Sequence, residues 1–218
     1  MKRFFLLVGL LCCLPFSLAF SQTITLKVID ANGQPIEGVV IENAVPSSAE
    51  TATTALAIVD QIDKAFVPEM IVIQQGQLVD FPNSDNIRHH VYSFSTPKIF
   101  ELKLYADRPE NPVRFDQPGV VVLGCNIHDA MVGYIYIASD DHIKQTDKEG
   151  FATLSLSNES HAITLWHPYQ AQGPDHRKTV VLDKLETATP AGVVTLTIDI
   201  EAPAPRDTFE DTFNAHLH

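Results

Sequence analysis

The chain is short of basic residues, and it lacks the sequence motifs of several common enzyme classes. Of its 218 residues, 15 are Lys or Arg and 27 are Asp or Glu, so the formal net charge is −12. A nucleic-acid-binding protein needs a basic face for phosphate contacts, so this charge argues against that class. A Gly-rich phosphate loop, a GxSxG elbow and an HExxH sequence are all absent. The sequence therefore argues against nucleotide-binding, esterase and zinc-protease functions.

Only one apolar run is long enough to enter a membrane, and it lies at the N-terminus. Outside residues 4–20, no apolar run approaches the roughly 20 residues that a bilayer span needs. Lys2 and Arg3 precede this run, and the small residues Ala19 and Ser21 follow it. This pattern is typical of an export signal. We expect residues 1–21 to be cleaved near Ser21, which leaves a periplasmic protein without a membrane segment.

Cysteine is also scarce, and the expected cleavage makes it scarcer. Cleavage near Ser21 removes Cys12 and Cys13 and leaves Cys125 as the one cysteine of the mature chain. The loss of two basic residues also brings the net charge to about −14. Unpaired thiols are a liability in an oxidising compartment, so this cysteine needs an explanation. It is either a buried inert thiol or a metal ligand.

The mature chain consists of short alternating or apolar segments separated by turn residues, and no long segment holds a 3.6-residue period. Many short strands predict an all-β fold of sandwich type, and the length suits two sandwiches. The strand candidates are residues 23–29, 35–42, 71–73, 78–81, 90–94, 100–104, 120–123, 133–137, 152–156, 162–166, 179–182 and 193–200.

Residues that can bind a metal are concentrated in one loop. Residues 124–131 contain Cys125, His128 and Met131 at a Cys-x2-His-x2-Met spacing, between two strand candidates. A thiolate, an imidazole and a thioether this close together can converge on one point, and such soft donors select copper over hard cations. A trigonal copper site needs a second histidine, which His89 or His90 can supply from across the sheet.

Other interpretations of this loop remain open. A structural zinc site would need further Cys or His partners at suitable spacing. A second interpretation is a catalytic cysteine nucleophile with His128 and Asp129 nearby. However, a nucleophile and a base three residues apart on one tight loop seldom reach the required geometry. Strand alternation sends His89 and His90 to opposite faces and favours neither. Residue types and spacing favour copper over the inert thiol, zinc and catalysis.

The segment from about residue 67 to 138 resembles a cupredoxin, the type-1 copper fold of plastocyanin, amicyanin and pseudoazurin. The resemblance rests on the short Cys-x2-His-x2-Met loop and on Phe81-Pro-Asn83 followed by a His-x-Val sequence. The stretches FPNSDNIRHHVYSFS and PGVVVLGCNIHDAM also resemble exported proteins labelled methylamine utilization proteins. The resemblance implies a Greek-key sandwich with one mononuclear site that cycles between Cu(II) and Cu(I).

The same resemblance implies a ligand set. The metal ligands would be His89, Cys125, His128 and Met131, with the methionine weak and axial. The alignment chooses His89 over its neighbour, which occupies a position where the family commonly carries Asn. Asn83 and Asp85 would shape the turn before His89 and would not bind the metal.

The remaining sequence resembles a carboxypeptidase-regulatory or transthyretin-like sandwich. Residues 24–39 match its opening, and its Asp-x-x-Gly turn follows only at residues 147–150. The simplest account is a cupredoxin inserted in, or packed on, this second sandwich. The alternative assigns the strands of residues 23–42 to the cupredoxin itself. We see no aromatic platform for carbohydrate, because Trp166, His167 and Tyr169 form a cluster without partners. The expected division is a signal at 1–21, the second sandwich at 22–45 and 141–201, the cupredoxin at 57–140, and a flexible acidic tail at 202–218.

These observations predict a periplasmic one-electron carrier and not an enzyme. The alternatives are a copper storage or delivery module and an envelope binding protein with a structural sandwich. The acidic charge favours a basic redox partner, such as a c-type cytochrome or an amine dehydrogenase-like donor.

Overall fold

The structure is a computed structural model that describes residues 22–45, 55–139, 141–156, 162–182 and 192–201. The expected signal at 1–21 and the expected tail at 202–218 lie outside the described residues. Seventeen β-strands and no α-helix occur in these ranges, so the predicted all-β class is confirmed. Within the same ranges, no helix has the length and apolar composition needed to span a membrane.

Strands from the two ends of the described chain form one unit, which we call the N–C sandwich. Its two sheets have the strand orders β14-β1-β17 and β13-β2-β15-β16. The strands are β1 (Gln22–Ile29), β2 (Val40–Asn43), β13 (Ile143–Gln145), β14 (Phe151–Leu156), β15 (Ala162–Trp166), β16 (Lys178–Val181) and β17 (Val193–Thr197).

Two Asp-x-x-Gly turns shape the N–C sandwich. After β1, Asp30 Oδ1 accepts the N–H groups of Asn32 and Gln34 at 2.8 and 2.7 Å. Before β14, Asp147 Oδ1 accepts the N–H of Phe151 at 2.8 Å in the same way. Gly150 closes this second turn with φ +78°, and a Cβ there would lie 2.5 Å from the Val28 carbonyl oxygen. Only glycine allows this turn to pack against β1.

The core of the N–C sandwich is purely aliphatic. Its two sheets contribute alternate residues that are buried between them. The buried members are Leu26, Val28, Ile36, Val39, Ile41, Ala152, Leu154, Ile163, Leu165, Val194, Leu196 and Ile198.

The strands between β2 and β13 form a second unit, the central sandwich. A three-stranded sheet (β10-β7-β3) faces a five-stranded sheet (β6-β12-β11-β8-β9), and β4 and β5 form a separate hairpin. The strands are β3 (Ala57–Ile58), β4 (Asp60–Ile62), β5 (Ala65–Val67), β6 (Met70–Gln74), β7 (Gln77–Asp80), β8 (His89–Ser93), β9 (Phe100–Tyr105), β10 (Val113–Phe115), β11 (Gly119–Cys125) and β12 (His128–Ala138).

Most predicted strands are present, with differences at their ends. The strand predicted over 35–42 begins only at Val40, because Gly38 has φ +77° and Pro35 makes only an isolated bridge to Ile29. The strand predicted over 133–137 is longer and starts at His128, which pairs with Cys125. The strand predicted over 193–200 ends at Thr197.

The two sandwiches share an apolar contact. Tyr136 of β12 is fully buried against Trp166 of β15, with ring centroids 5.3 Å apart. Tyr134 packs edge-on to the same indole at 6.2 Å, and Val40 joins this cluster from β2. Both faces of β2 are therefore covered, which explains why all four of its residues are buried.

A buried carboxylate strengthens this contact. Glu42 of β2 is only 1% exposed. Its carboxylate accepts the Tyr136 hydroxyl at 2.8 Å, the Ser139 N–H at 2.7 Å and the Ser139 hydroxyl. Buried polar groups are tolerated where hydrogen bonds satisfy them, and all three bonds come from the end of β12 and the residue after it, Ser139. The N–C sandwich therefore contacts and hydrogen-bonds β12, the strand whose first residue, His128, belongs to the candidate site.

Candidate metal centre

Three strands of the five-stranded sheet bring the site together. β11 ends at Cys125 and β12 begins at His128, so the two residues pair across a two-residue turn. The register is irregular at Gly124 and Cys125, as in a β-bulge. On its other side, Cys125 pairs with Val91 of β8, two residues after His89.

The side chains of His89, Cys125 and His128 converge on one point. Cys125 Sγ lies 3.6 Å from His89 Nδ1 and 3.7 Å from His128 Nδ1. All three candidate ligand atoms lie within 4.8 Å of one another, and the two imidazole centroids are 4.9 Å apart. Cys125 is 3% exposed and His89 is fully buried, whereas His128 is partly exposed.

The structure separates His89 from His90. β8 buries every second residue, so His89, Val91 and Ser93 point into the central sandwich. His90 lies on the outer face, where its Nε2 is 2.8 Å from Glu101 Oε1. The residue that joins the cluster is therefore His89.

Met131 is buried on the same side of β12. It is 1% exposed and belongs to the apolar core cluster that also contains Cys125. β12 alternates, so Met131 and Ile135 face the central core while Tyr134 and Tyr136 face the N–C sandwich. Its role as a fourth ligand stays a prediction.

Asp85 fixes the orientation of His89, a contact that sequence reasoning missed. His89 Nε2 donates to Asp85 Oδ2 at 2.7 Å, and this contact directs the other ring nitrogen, Nδ1, toward Cys125 Sγ. The same carboxylate accepts the N–H groups of Asp63 and Lys64 at 2.6 and 3.0 Å. Burial alone would raise the pKa of Asp85, but the bonds from Lys64, His89 and Asp63 outweigh it and lower this pKa.

The β4–β5 hairpin is thereby tied to the site. Asp63 and Lys64 form its two-residue turn, and both have positive φ, at 52° and 59°. Two positive φ values are what a type I′ hairpin turn requires, and in this turn the adjacent N–H groups both donate to the Asp85 carboxylate. The hairpin therefore acts as a support for the carboxylate behind His89.

The structural role predicted for Asn83 is confirmed. Its Nδ2 donates to the carbonyl oxygens of Ile87 at 2.8 Å and Tyr105 at 3.0 Å. Its Oδ1 accepts the Asp85 N–H at 3.1 Å. Asn83 thus shapes the loop that delivers His89 to the site.

The donor set fits copper better than the alternatives. Among the described residues, no fourth His, Cys, Asp or Glu joins the cluster, so a four-coordinate Cys/His zinc site lacks a ligand. A cysteine nucleophile needs access to its substrate, and Cys125 is buried. One thiolate and two imidazoles, with a buried thioether nearby, are the soft and intermediate donors that suit copper.

One expectation about the aromatic residues is wrong. Trp166 and Tyr169 have aromatic partners, because Tyr134 lies edge-on to both, at 6.2 Å from Trp166 and 6.3 Å from Tyr169. Tyr136 also contacts Trp166. The partners come from the central sandwich, more than 25 residues earlier in the chain, so local sequence gave no sign of them.

Comparisons with known proteins yield structural likeness only. No protein-family model matches the chain, and no curated protein matches it. A copper-containing nitrite reductase from Thermus scotoductus SA-01 aligns at 24% identity and TM-score 0.37, over 43% of this chain and 25% of that chain. Amicyanin from Paracoccus versutus aligns at 16% identity and TM-score 0.33, over 45% and 97%.

A further solved structure is similar over a smaller region. Pseudoazurin from Methylobacterium extorquens AM1 aligns at 15% identity and TM-score 0.33, over 38% of this chain and 76% of that chain. The chain thus spans only a quarter of the nitrite reductase, and all three TM-scores lie below 0.5. The function proposed below rests on the side chains of the site.

Proposed function

We propose that the protein is an exported type-1 copper protein that carries single electrons in the periplasm. The observation that carries this proposal is the buried convergence of Cys125 Sγ with the Nδ1 atoms of His89 and His128. These residues, with Met131, would hold the metal. Copper bound there would supply reversible one-electron chemistry between Cu(II) and Cu(I).

The protein fixes the positions of the metal ligands and excludes water from them. Asp85 holds the His89 ring through Nε2, and the β11–β12 turn holds the other two donors at a short spacing. Positions fixed before binding reduce the rearrangement that accompanies each electron transfer. The burial of His89 and Cys125 keeps water from the donor atoms.

Partly exposed His128 is the proposed route for electrons to a partner. Asp129 beside it is exposed, and the mature chain carries a net charge of about −14. We propose a basic partner, such as a c-type cytochrome or an amine dehydrogenase-like donor. The association rate should fall steeply as salt rises, because exposed charges beyond about 8 Å are screened at physiological ionic strength.

The N–C sandwich has a supporting role in this proposal. We infer a carboxypeptidase-regulatory or transthyretin-like unit with the copper unit inserted between β2 and β13, in a chain similar to the methylamine utilization group. The pairing of β1 and β2 with strands after residue 142 supports this division. The predicted boundaries at 45, 57, 140 and 201 remain part of the proposal.

A visible spectrum after addition of Cu(II) tests the proposal. We expect an intense blue thiolate-to-copper band in the mature protein and its loss in Cys125→Ser, with unchanged β-sheet circular dichroism. His89→Ala should also abolish the band, whereas the matched variant His90→Ala should retain it. A band that survives Cys125→Ser, or that depends on His90, would contradict the assignment. Rapid loss of copper to a chelator would instead indicate storage or delivery.

A further inference from the structure

The outer face of the five-stranded sheet is apolar beyond the area that the N–C sandwich covers. Tyr92 of β8 and Phe94, which follows β8, lie on this face with Val122 of β11 and Val132 of β12. An antiparallel sheet that faces water normally carries polar residues on that side. Phe94 is nevertheless 79% exposed, so this part of the face lacks a protein cover among the described residues.

A loop of the chain lies opposite this apolar face, so that a cleft forms between the loop and the sheet. The loop from Pro168 to Asp175, together with Glu201, lies opposite the sheet, and the open space between them has a volume of about 660 Å³. This inter-sandwich cleft has the size of a small-molecule site. Its floor lies close to the candidate metal centre, because the Tyr92 ring passes 2.8 Å from the place where a Cβ on Gly124, the neighbour of Cys125, would sit.

Aromatic rings line both sides of the inter-sandwich cleft. Tyr134 and Tyr169 are perpendicular, with an interplanar angle of 89° and centroids 6.3 Å apart. Tyr92 and Phe94 stack at 5.2 Å with a tilt of 46°. Aromatic faces attract cations through their quadrupoles and also accept apolar groups.

The charged residues of the cleft all have one sign. Asp175 and Glu201 are its only ionisable groups apart from the tyrosines, and none of the residues that line it, all in the described part of the chain, is Lys, Arg or His. This composition repels an anion and attracts a cation.

A buried acceptor in the same wall lacks a donor. Gln170 lines the cleft and is 4% exposed, and its Oε1 has no hydrogen-bond partner among the described residues. Its Nε2 donates to the His176 carbonyl, so the amide orientation is set by that contact and the free atom is the oxygen. An unpaired buried acceptor is costly unless a donor or a cation satisfies it.

We propose that the inter-sandwich cleft binds a small organic cation, a quaternary ammonium or protonated amine with an apolar surface. The aromatic rings hold the apolar surface and the two carboxylates favour the positive charge, while the unpaired Gln170 oxygen lies buried in the same wall. This binding is independent of the proposed copper function, and it is measured on the copper-free protein so that failure of either proposal leaves the other intact.

Two probes that differ only in charge test the proposal. Choline and its neutral isostere 3,3-dimethylbutan-1-ol are titrated into the full mature chain and followed by amide NMR shifts and by Trp166 fluorescence. Trp166 is the one tryptophan, and its Nε1 donates to Pro174 in the cleft wall at 2.7 Å. We expect choline to bind at least about fivefold more tightly than the alcohol, with shifts at Ala171 and Gly173.

Variants separate the two contributions. Asp175→Asn combined with Glu201→Gln should weaken choline binding by about fivefold and leave the alcohol unchanged, since only the cation feels the lost charge. Phe94→Leu keeps an apolar side chain but removes the ring, and it should weaken choline by about threefold. The control Glu149→Gln removes an exposed carboxylate outside the cleft and should change neither probe.

Three results would overturn the proposal. One is equal affinity for choline and the alcohol, which would show an apolar groove without charge recognition. Another is the absence of shifts at Ala171 and Gly173 at saturating probe. The last is binding that occurs only when the chain is ended after Glu201, which would identify residues 202–218 as the natural occupant.

Discussion

The two sandwiches differ in what fills them. The N–C sandwich buries only aliphatic residues between its sheets. The central sandwich buries Phe66, Phe81 and Phe115 together with Cys125 and Met131. Its interior also contains polar side chains, namely Gln61, Asn83, His89 and Ser93. One core is built for packing alone, whereas the other accommodates a site.

This difference shows how a polar site is accommodated within an apolar core. Buried polar groups in the central sandwich need partners, and the loop before β8 supplies some of them, although Gln61 Oε1 has none among the described residues. Gln61 Nε2 donates to Pro82 O at 3.0 Å, and the Tyr105 hydroxyl donates to Phe81 O at 2.7 Å. Burial raises the pKa of Tyr105, and it outweighs the hydrogen bond from Gln61, which lowers this pKa; the nearby Asp80 carboxylate raises it further. Among the described residues of the N–C sandwich, the buried Thr146 hydroxyl accepts the Val39 N–H at 2.9 Å and donates to Ile36 O at 2.7 Å.

The largest expected effect concerns the contact between the sandwiches. Trp166→Ala removes a fully buried indole and should lower the free energy of unfolding by about 3–5 kcal/mol. Denaturant unfolding followed by circular dichroism measures this loss. Trp166→Phe, which retains a ring for Tyr134 and Tyr136, should cost less. A loss below about 1 kcal/mol, the scale of a surface substitution, would show that the sandwiches are independent.

A matched pair of core substitutions compares the two sandwiches directly. Leu154 and Leu123 are both at most 1% exposed, one in each core. Replacing either with Ala should cost about 2–5 kcal/mol, because each change leaves a cavity. Leu123 lies two residues from Cys125, so only Leu123→Ala should alter the position or intensity of the copper band. An equal spectral change in Leu154→Ala would mean that the N–C sandwich tunes the site.

The buried carboxylate at the interface gives a smaller effect. Tyr136→Phe leaves Glu42 without one of its three hydrogen bonds and should cost about 1–3 kcal/mol in thermal or denaturant unfolding. Tyr134→Phe changes a neighbouring tyrosine in the same cluster and provides the comparison. If the two variants are equally stable, the hydroxyl of Tyr136 contributes nothing specific to the contact.

The smallest change in the fold is expected for Asp85→Asn. It removes the anionic partner of His89 Nε2 and should lower Cu(II) affinity by about 10–100-fold. The reduction potential should rise, because a negative charge near the metal stabilises Cu(II) more than Cu(I). Protein film voltammetry and a competition titration measure the two quantities. Asp85→Glu should restore part of both, and an unchanged potential in Asp85→Asn would assign the residue to the hairpin turn alone.

Sequence reasoning was effective where the information is local. Alternation located most strands of both sandwiches, and a spacing of six residues placed the sulfur and imidazole donors on one turn. It missed the short strands β3, β4, β5, β10 and β13, because two or three residues are too few to show a period of two. It also could not choose between His89 and His90 by pattern, since the outer face of β8 is itself apolar.

The sequence by itself determined the β-class, the strand candidates and the donor loop, because strand alternation and a two-residue turn depend on neighbours in the chain. Only the tertiary structure decided which histidine joins Cys125, since that depends on which face of β8 meets the core. It also decided that Asp85 supports this histidine and that Trp166 faces Tyr134 and Tyr136. These contacts join segments that are distant in sequence or whose orientation is set by packing, and no local pattern encodes such distances.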